Sequence, residues 1–127
     1  TRNLLRHITW EIPSGQAIAA EMGAEPLAAA DLSDIGDLGA GLGTSTPLFF
    51  YVLREADVFA DGLHLGPVGG RIVAEVFLGL LDLDPASYRN VDGWRPSLPQ
   101  RDGSTGTDFT MADLLTVAGV DPTSRGQ

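Results

Sequence analysis

The sequence predicts a mainly α-helical fold, and two observations carry that prediction. Apolar residues recur at helical spacing along most of the chain, and no segment shows the strict alternation of apolar and polar residues that is typical of a strand. The 127 residues are enough for one domain with one hydrophobic core. We expect residues 1–127 to form a single segment, with long loops at 31–46 and 92–109.

The first helices are placed by their capping residues. Ser14 is a candidate N-cap for a helix over residues 16–22, and Gly23 is its candidate stop. Pro26 suits the first position of a second, short helix through Ala28.

A loop and a longer helix follow. Residues 31–46 are rich in glycine and show little periodicity, which is typical of a loop. Thr46 and Pro47 match a capping residue followed by proline at the first helical position. The apolar residues of 47–60 recur at helical spacing, so we expect a helix there.

A long apolar stretch, GGRIVAEVFLGLLDL, covers residues 69–83. Its apolar residues form a wide helix face, which predicts that this helix is well buried. Asp84 and Pro85 are expected to cap a short helical turn that ends near Tyr88. The wide face comprises Ile72, Val73, Val76, Phe77, Leu80 and Leu81.

The last third of the chain is predicted to be loop and one short helix. Residues 92–109 are rich in proline and glycine and predict an extended loop. Thr110 and Asp113 match a capping box at the start of a helix in 111–120. The polar tail 121–127 is expected to fray.

Two architectures fit these elements. Three or four amphipathic helices can form a small bundle, or they can form the outer layer of a larger helical protein. Loops of this length inside a compact domain usually serve a function or are supported from elsewhere.

Composition excludes several classes of function. The net charge of −9, with eight scattered basic residues, argues against binding to nucleic acid or to an anionic membrane surface. The absence of cysteine excludes disulfides, thiolate nucleophiles and cysteine-ligated metal sites. No segment approaches the roughly 20 apolar residues that a membrane span needs.

Asn3 and Arg6 are the candidate binding residues. Residues three apart share a face of a helix, so both side chains would point into one site. Arginine suits bidentate binding of a carboxylate or phosphate, and an asparagine carbonyl can orient a histidine ring. The alternative is a surface helix with two solvated polar residues.

The remaining candidate residues favour structural roles. His7 and His64, the only histidines, lack the spacing of a metal site, so we expect a partly exposed His7 and a loop His64. The GAGLG segment at 39–43 lacks the preceding strand and the GK[ST] of a phosphate loop, which favours a flexible loop. No residue of this chain is expected to be catalytic or to bind a metal.

Four segments together resemble the C-terminal part of animal-type heme peroxidases, in their actinobacterial branch. The first holds Asn3, Arg6 and Pro13, similar to the family's LNxxRxRDHGLPxYN, although this chain has ITWE in place of RDHG. The other three segments are LGPVGGRIVAEVFLGLL at 65–81, TPLFFYVLREAD at 46–57, and WRPSLP at 94–99 followed by FTMADLL at 109–115. The resemblance covers nearly the whole chain, in the family's order.

The resemblance implies roles for two residues. In the family, the matching asparagine accepts a hydrogen bond from the proximal histidine of the heme iron, and the matching arginine pairs with a heme propionate. These roles carry over to Asn3 and Arg6. The family's proximal and distal histidines and its catalytic arginine lie upstream of this segment. The resemblance therefore implies that the chain starts inside the fold and needs an upstream partner chain.

The implied function is that of a bacterial heme-dependent peroxidase, an iron oxidoreductase that uses hydrogen peroxide and a small organic or halide donor. A heme fatty-acid dioxygenase of the same fold is one alternative. A non-catalytic, acidic helical module for docking or assembly is another, and the missing RDHG and the lack of an axial ligand support it. The sequence does not decide between a cytoplasmic and a secreted location.

Overall fold

A computed structural model describes residues 2–106 and 108–120. This part of the chain is mainly helical and has no strand, which confirms the predicted fold class. Two compact units divide between Leu80 and Leu81. The α-helices are α1 (Arg2–Thr9), α2 (Gly15–Glu21), α3 (Ser33–Gly36), α4 (Leu48–Ala60), α5 (Pro67–Leu83) and α6 (Met111–Val117), and 3-10 turns lie at Ala29–Leu32 and Tyr88–Asn90.

Two of the predicted helix starts are confirmed by their side-chain bonds. The Ser14 hydroxyl accepts a hydrogen bond from the Ala17 N–H at 3.2 Å, and α2 ends before Gly23, whose φ is +68°. At α6, Thr110 and Asp113 form a reciprocal capping box. Both caps act within three residues of chain, so local sequence suffices to specify them.

Two predictions about the first unit are wrong in detail. The segment from Pro26 to Ala28 is not helical, and a 3-10 turn begins one residue later at Ala29. The predicted loop at 31–46 contains the end of that turn and the short helix α3. Leu32 of the turn and Ile35 of α3 are both buried. The GAGLG part of it consists of turns, as expected.

Thr46 does not cap α4, contrary to prediction. The residue before α4 is Pro47, without a side-chain cap, and the buried Thr46 hydroxyl donates to the Leu42 carbonyl at 2.7 Å instead. The Gln16 amide binds Thr46 twice, donating to its hydroxyl at 2.8 Å and accepting from its N–H at 2.9 Å. Thr46 therefore ties the glycine-rich segment to α2 rather than starting the next helix.

Tyr51 lies at the centre of the first unit's core. Its side chain is fully buried, and its hydroxyl accepts a hydrogen bond from the Leu27 N–H at 3.0 Å. Burial raises the pKa of the Tyr51 hydroxyl, while the Leu27 bond acts in the opposite direction. Gly15 allows the ring this close, since a Cβ on Gly15 would lie 1.9 Å from Tyr51 Cγ. The core comprises Ala19, Leu27, Leu32, Ile35, Tyr51 and Val68.

The predicted burial of α5 is wrong. Only Val68 and Gly69, in its first turn, are buried. Most of the wide apolar face is exposed, with exposed fractions of 56% at Val76, 64% at Phe77 and 62% at Leu80. An apolar helical period predicts that one face of a helix is apolar, but it does not identify the residues or the partner that pack against that face.

The second unit is organised by turns. Asp84 accepts a hydrogen bond from the Ala86 N–H at 2.9 Å, and Ser87 then caps the 3-10 turn that starts at Tyr88. The segment 92–109 has no helix or strand among its described residues, as predicted. The tail 121–127, for which fraying was expected, lies outside the described residues.

Candidate functional site

An apolar groove of about 400 Å³ lies in the first unit between α1, α4 and α5. One wall is polar at its rim and comes from α1. The opposite walls are apolar, with side chains of α4 and α5 facing the space. The lining residues are Asn3, Arg6, His7, Trp10, Ile12, Leu48, Phe49, Val52, Leu53, Leu65, Gly69, Ile72 and Val73.

Asn3 and Arg6 both line this groove. They lie one helical turn apart on α1 and are exposed. Neither side chain has a hydrogen-bond or ion-pair partner among the described residues. An unpaired guanidinium and a free amide beside an apolar surface can bind a ligand that is apolar over most of its area and anionic at its edge. Their role toward a cofactor stays a prediction.

His7 is the third polar residue of the rim, and sequence reasoning gave it no function. The residue is partly buried, as expected, but its Nδ1 is buried without a hydrogen-bond partner among the described residues. The sequence could have indicated that His7 lies beside Asn3, because residues four apart lie on the same face of a helix.

His64 lies apart from the groove lining, in the connection between α4 and α5. Its ring is exposed, and its Nδ1 lies 3.0 Å from the Leu65 carbonyl oxygen. The structure therefore does not bring His64 to the rim where His7 lies. Within residues 2–106 and 108–120, no three His, Asp or Glu side chains are placed to hold a metal ion.

Glu55 positions the α5 wall of the groove. Its carboxylate is fully buried and accepts hydrogen bonds from the N–H groups of Val68 and Gly69 at 3.0 Å. These N–H groups belong to the first turn of α5, where the helix dipole also favours a negative charge. Gly66 leaves the room for this carboxylate, since a Cβ there would lie 2.3 Å from Glu55 Cγ.

The contact between α4 and α5 depends on a second glycine. A Cβ on Gly69 would lie 3.1 Å from Val52 Cβ, so a larger residue would push the two helices apart. Both residues line the groove. The width of the groove is therefore set partly by the GPVGG segment at 66–70.

Arg54 holds α4 to α3 on the outer side. It pairs with Asp34, and its second nitrogen lies 3.6 Å from Asp57. Both aspartates are largely exposed, so these pairs contribute little to stability. Among the described residues, Arg6 differs from Arg54 in having no acidic partner.

Trp10 and Trp94 differ in their packing. Trp10 lines the groove, and 68% of its surface is exposed. Trp94 packs on Tyr88, with ring centroids 5.0 Å apart.

Comparisons of the chain with known protein families, with curated proteins and with solved structures find no match. No helix in the described part of the chain combines the length and the apolar character that crossing a bilayer requires.

Proposed function

We propose that this chain is the C-terminal chain of a heme-dependent peroxidase and supplies contacts to the proximal side of the heme. The axial and distal histidines would come from a separate upstream chain. One observation carries this proposal: Asn3 and Arg6, the two residues that the resemblance to heme peroxidases selects, both open onto one apolar groove.

The chemistry of the groove fits part of a heme. A heme is a flat apolar ring with carboxylates on one edge. The groove is largely apolar, and the Arg6 guanidinium that lines it has no acidic partner among the described residues. Its volume of about 400 Å³ falls in the range of small-molecule sites. In this proposal the axial ligand comes from the partner chain, because the resemblance places the family's proximal histidine upstream of this segment.

Each residue of this chain would then have a defined task. Arg6 would pair with a propionate through a charge-assisted bond. The Asn3 carbonyl would accept the ring N–H of the partner's axial histidine and hold that ring in place. The apolar walls would exclude water. When bound, heme supplies the redox chemistry by which hydrogen peroxide is reduced and an organic or halide donor is oxidised.

The exposed face of α5 supports the need for an upstream chain. Val76, Phe77 and Leu80 are each more than half exposed on one helix. Burying such residues on association is favourable by about 25 cal/mol per Å² of apolar surface. If a larger polypeptide binds to this face, it would explain why so apolar a helix is exposed in the isolated chain.

The same face favours a second candidate, the non-catalytic docking module. In that case α5 would bind a partner and the groove would hold no cofactor. No structural feature favours the fatty-acid dioxygenase over the peroxidase, since both would use the same heme contacts.

Three measurements on the protein purified from its source distinguish the peroxidase chain from the docking module. They are the absorption spectrum, the intact mass and a denaturing gel. A Soret band together with a second, larger polypeptide supports the peroxidase chain. A lone 13.4 kDa species without a Soret band removes the peroxidase proposal and leaves the docking module.

Hemin titration of the 127-residue chain, with free imidazole as the missing axial ligand, tests the groove itself. Hemin should bind in a saturable way, and Arg6→Gln should weaken it. Arg71→Gln, a change of an exposed arginine outside the groove lining, is the matched control. Equal affinities for all three proteins would contradict the assignment.

A further inference from the structure

We propose that the second unit carries a binding site for a planar aromatic monoanion, such as an aromatic carboxylate, formed by Tyr88, Trp94 and Arg95. These residues line an open cavity of about 820 Å³, together with Pro96 and Phe109. The site lies in the WRPSLP segment and its surroundings, to which the proposed function gives no role. This inference does not rest on the heme proposal.

Two aromatic rings form one side of the cavity. The rings of Tyr88 and Trp94 lie 5.0 Å apart at an angle of 48°, a tilted pair of the kind that aromatic side chains favour. About half of each residue is exposed, 48% for Tyr88 and 44% for Trp94. The open part of these rings offers a surface on which a third ring can stack.

Arg95 supplies the positive charge. Its Nη1 donates to the Trp94 carbonyl at 2.7 Å, which anchors the guanidinium on the residue that carries the indole. Among the described residues, Arg95 has no acidic partner. Arg89 also lines the cavity, but its guanidinium pairs with Asp82, with Nε at 2.5 Å from Oδ1. One guanidinium is therefore available for one carboxylate.

Hydrogen bonds hold the segment that carries these residues. The Asn90 amide donates to the carbonyls of Asp84 at 2.8 Å and Asp82 at 3.1 Å, so it ties the 3-10 turn to the end of α5. The Trp94 N–H donates to the Val91 carbonyl at 3.2 Å. A site held in this way loses less conformational entropy on binding than a free loop would.

Charge decides the class of ligand. The chain carries a net charge of −9, and the exposed Asp84 and Asp92 lie in the same segment as the cavity. A polyanion such as an acidic peptide or a nucleotide would be repelled by this field. A single carboxylate on an aromatic ring meets less repulsion, and its ring gains stacking and desolvation on Trp94.

The test is titration of the ¹⁵N-labelled chain with 2-naphthoate, observed by NMR. The chain has two tryptophans, so Trp10 and Trp94 give separate indole N–H signals, and Trp10→Phe assigns them. We expect the Trp94 signal to shift and to saturate with a Kd of about 1 mM or tighter, since a ligand of this size gains about 0.3 kcal/mol per non-hydrogen atom.

Variants and matched probes identify the contacts. Arg95→Gln should weaken binding about tenfold, because a charge-assisted hydrogen bond is lost. Arg95 makes only one hydrogen bond to the backbone, so this variant should stay folded. Arg71→Gln, at an exposed arginine of the first unit outside the lining of both sites, should leave the affinity unchanged. Neutral 2-naphthalenemethanol and aliphatic cyclohexanecarboxylate should each bind at least several-fold more weakly.

Three results would overturn the proposal. One is no shift of the Trp94 indole signal at millimolar 2-naphthoate. Another is a shift at Trp10 without a shift at Trp94, which would place the probe only in the groove of the first unit. The third is equal affinity for the naphthoate and the neutral alcohol, which would remove the role of Arg95.

Discussion

The carboxylate of Glu55 accepts the backbone N–H of Val68 at 3.0 Å, thirteen residues along the chain, inside a fully buried pocket. Gly69 N–H binds the same carboxylate. Glu55 therefore serves as the N-cap that α5 lacks in its own preceding residues.

Removing this cap should lower the stability of the fold. We expect Glu55→Ala to lower the free energy of unfolding by about 2–4 kcal/mol, because two buried N–H groups lose a charged acceptor. Urea denaturation followed by circular dichroism measures it. Glu75→Ala, at an exposed carboxylate paired with Arg71, should change the stability by less than about 0.5 kcal/mol. Equal losses for both variants would rule out a cap at Glu55.

Two glycines should respond to alanine in opposite directions. Gly15→Ala should destabilise the chain by about 1–3 kcal/mol, since the new Cβ overlaps the Tyr51 ring. Gly79→Ala, in α5 with no atom within 4 Å of the new Cβ, should stabilise it by about 0.5–1 kcal/mol. Thermal unfolding of both variants beside the unchanged chain tests the pair. A stabilising Gly15→Ala would contradict the packing described for Tyr51.

The capping box of α6 should be sensitive to acid. Hydrogen bonds from the Thr110 hydroxyl and from the Arg101 and Thr110 N–H groups lower the pKa of Asp113 from 3.8 to about 2. Because the pKa is lower in the folded state, the ionised carboxylate stabilises the fold above about pH 4. This contribution is lost as the pH falls from about 4 to about 2. Asp113→Asn should remove that part of the pH dependence of the α6 amide protection, measured by hydrogen exchange. An unchanged acid profile in Asp113→Asn would show that another group titrates there.

The exposed face of α5 should tolerate polar residues in the isolated chain. Val76→Gln and Phe77→Gln should each change the free energy of unfolding by less than about 0.5 kcal/mol, because both side chains are largely exposed. Leu32→Ala, in the core, should cost about 2–5 kcal/mol. If a partner covers this face, the glutamine variants should weaken co-purification with it. A large loss of stability in either glutamine variant would mean that the face is already packed.

The heme proposal makes separate predictions for its two residues in the assembled protein. Asn3→Ala should shift the reduction potential, because the axial histidine loses its hydrogen-bond acceptor. Arg6→Ala should speed heme loss to an acceptor such as apomyoglobin, because a propionate loses its partner. An unchanged potential removes the role of Asn3, and equal loss rates remove that of Arg6.

Local signals in the sequence predicted local structure well. The caps at Ser14 and at Thr110 with Asp113 act within three residues, so both could be identified without a structure. Thr46 is also a capping-type residue just before a helix, but its hydroxyl donates to the Leu42 carbonyl and accepts from the Gln16 amide instead. A capping residue places a hydroxyl near a helix start, but tertiary packing decides whether that hydroxyl accepts a helix N–H or donates to a carbonyl elsewhere.

The candidate site was predictable only in part. Helix geometry placed Asn3 and Arg6 on one face, and both line the same groove. The apolar walls come from α4 and α5, more than forty residues away, and no spacing rule relates them to α1. The capping role of Glu55 could not be predicted from the sequence either, since the N–H groups that it binds lie on the next helix.

The closeness of Glu55 and Gly66 also has a consequence for sequences related to this one. A side chain at position 66 would occupy the space of the Glu55 carboxylate, so the two positions are expected to change together. Relatives that replace the glycine should also lose the glutamate and supply a serine, threonine or aspartate just before the helix. In an alignment, this covariation would be visible as a coupled pair eleven positions apart.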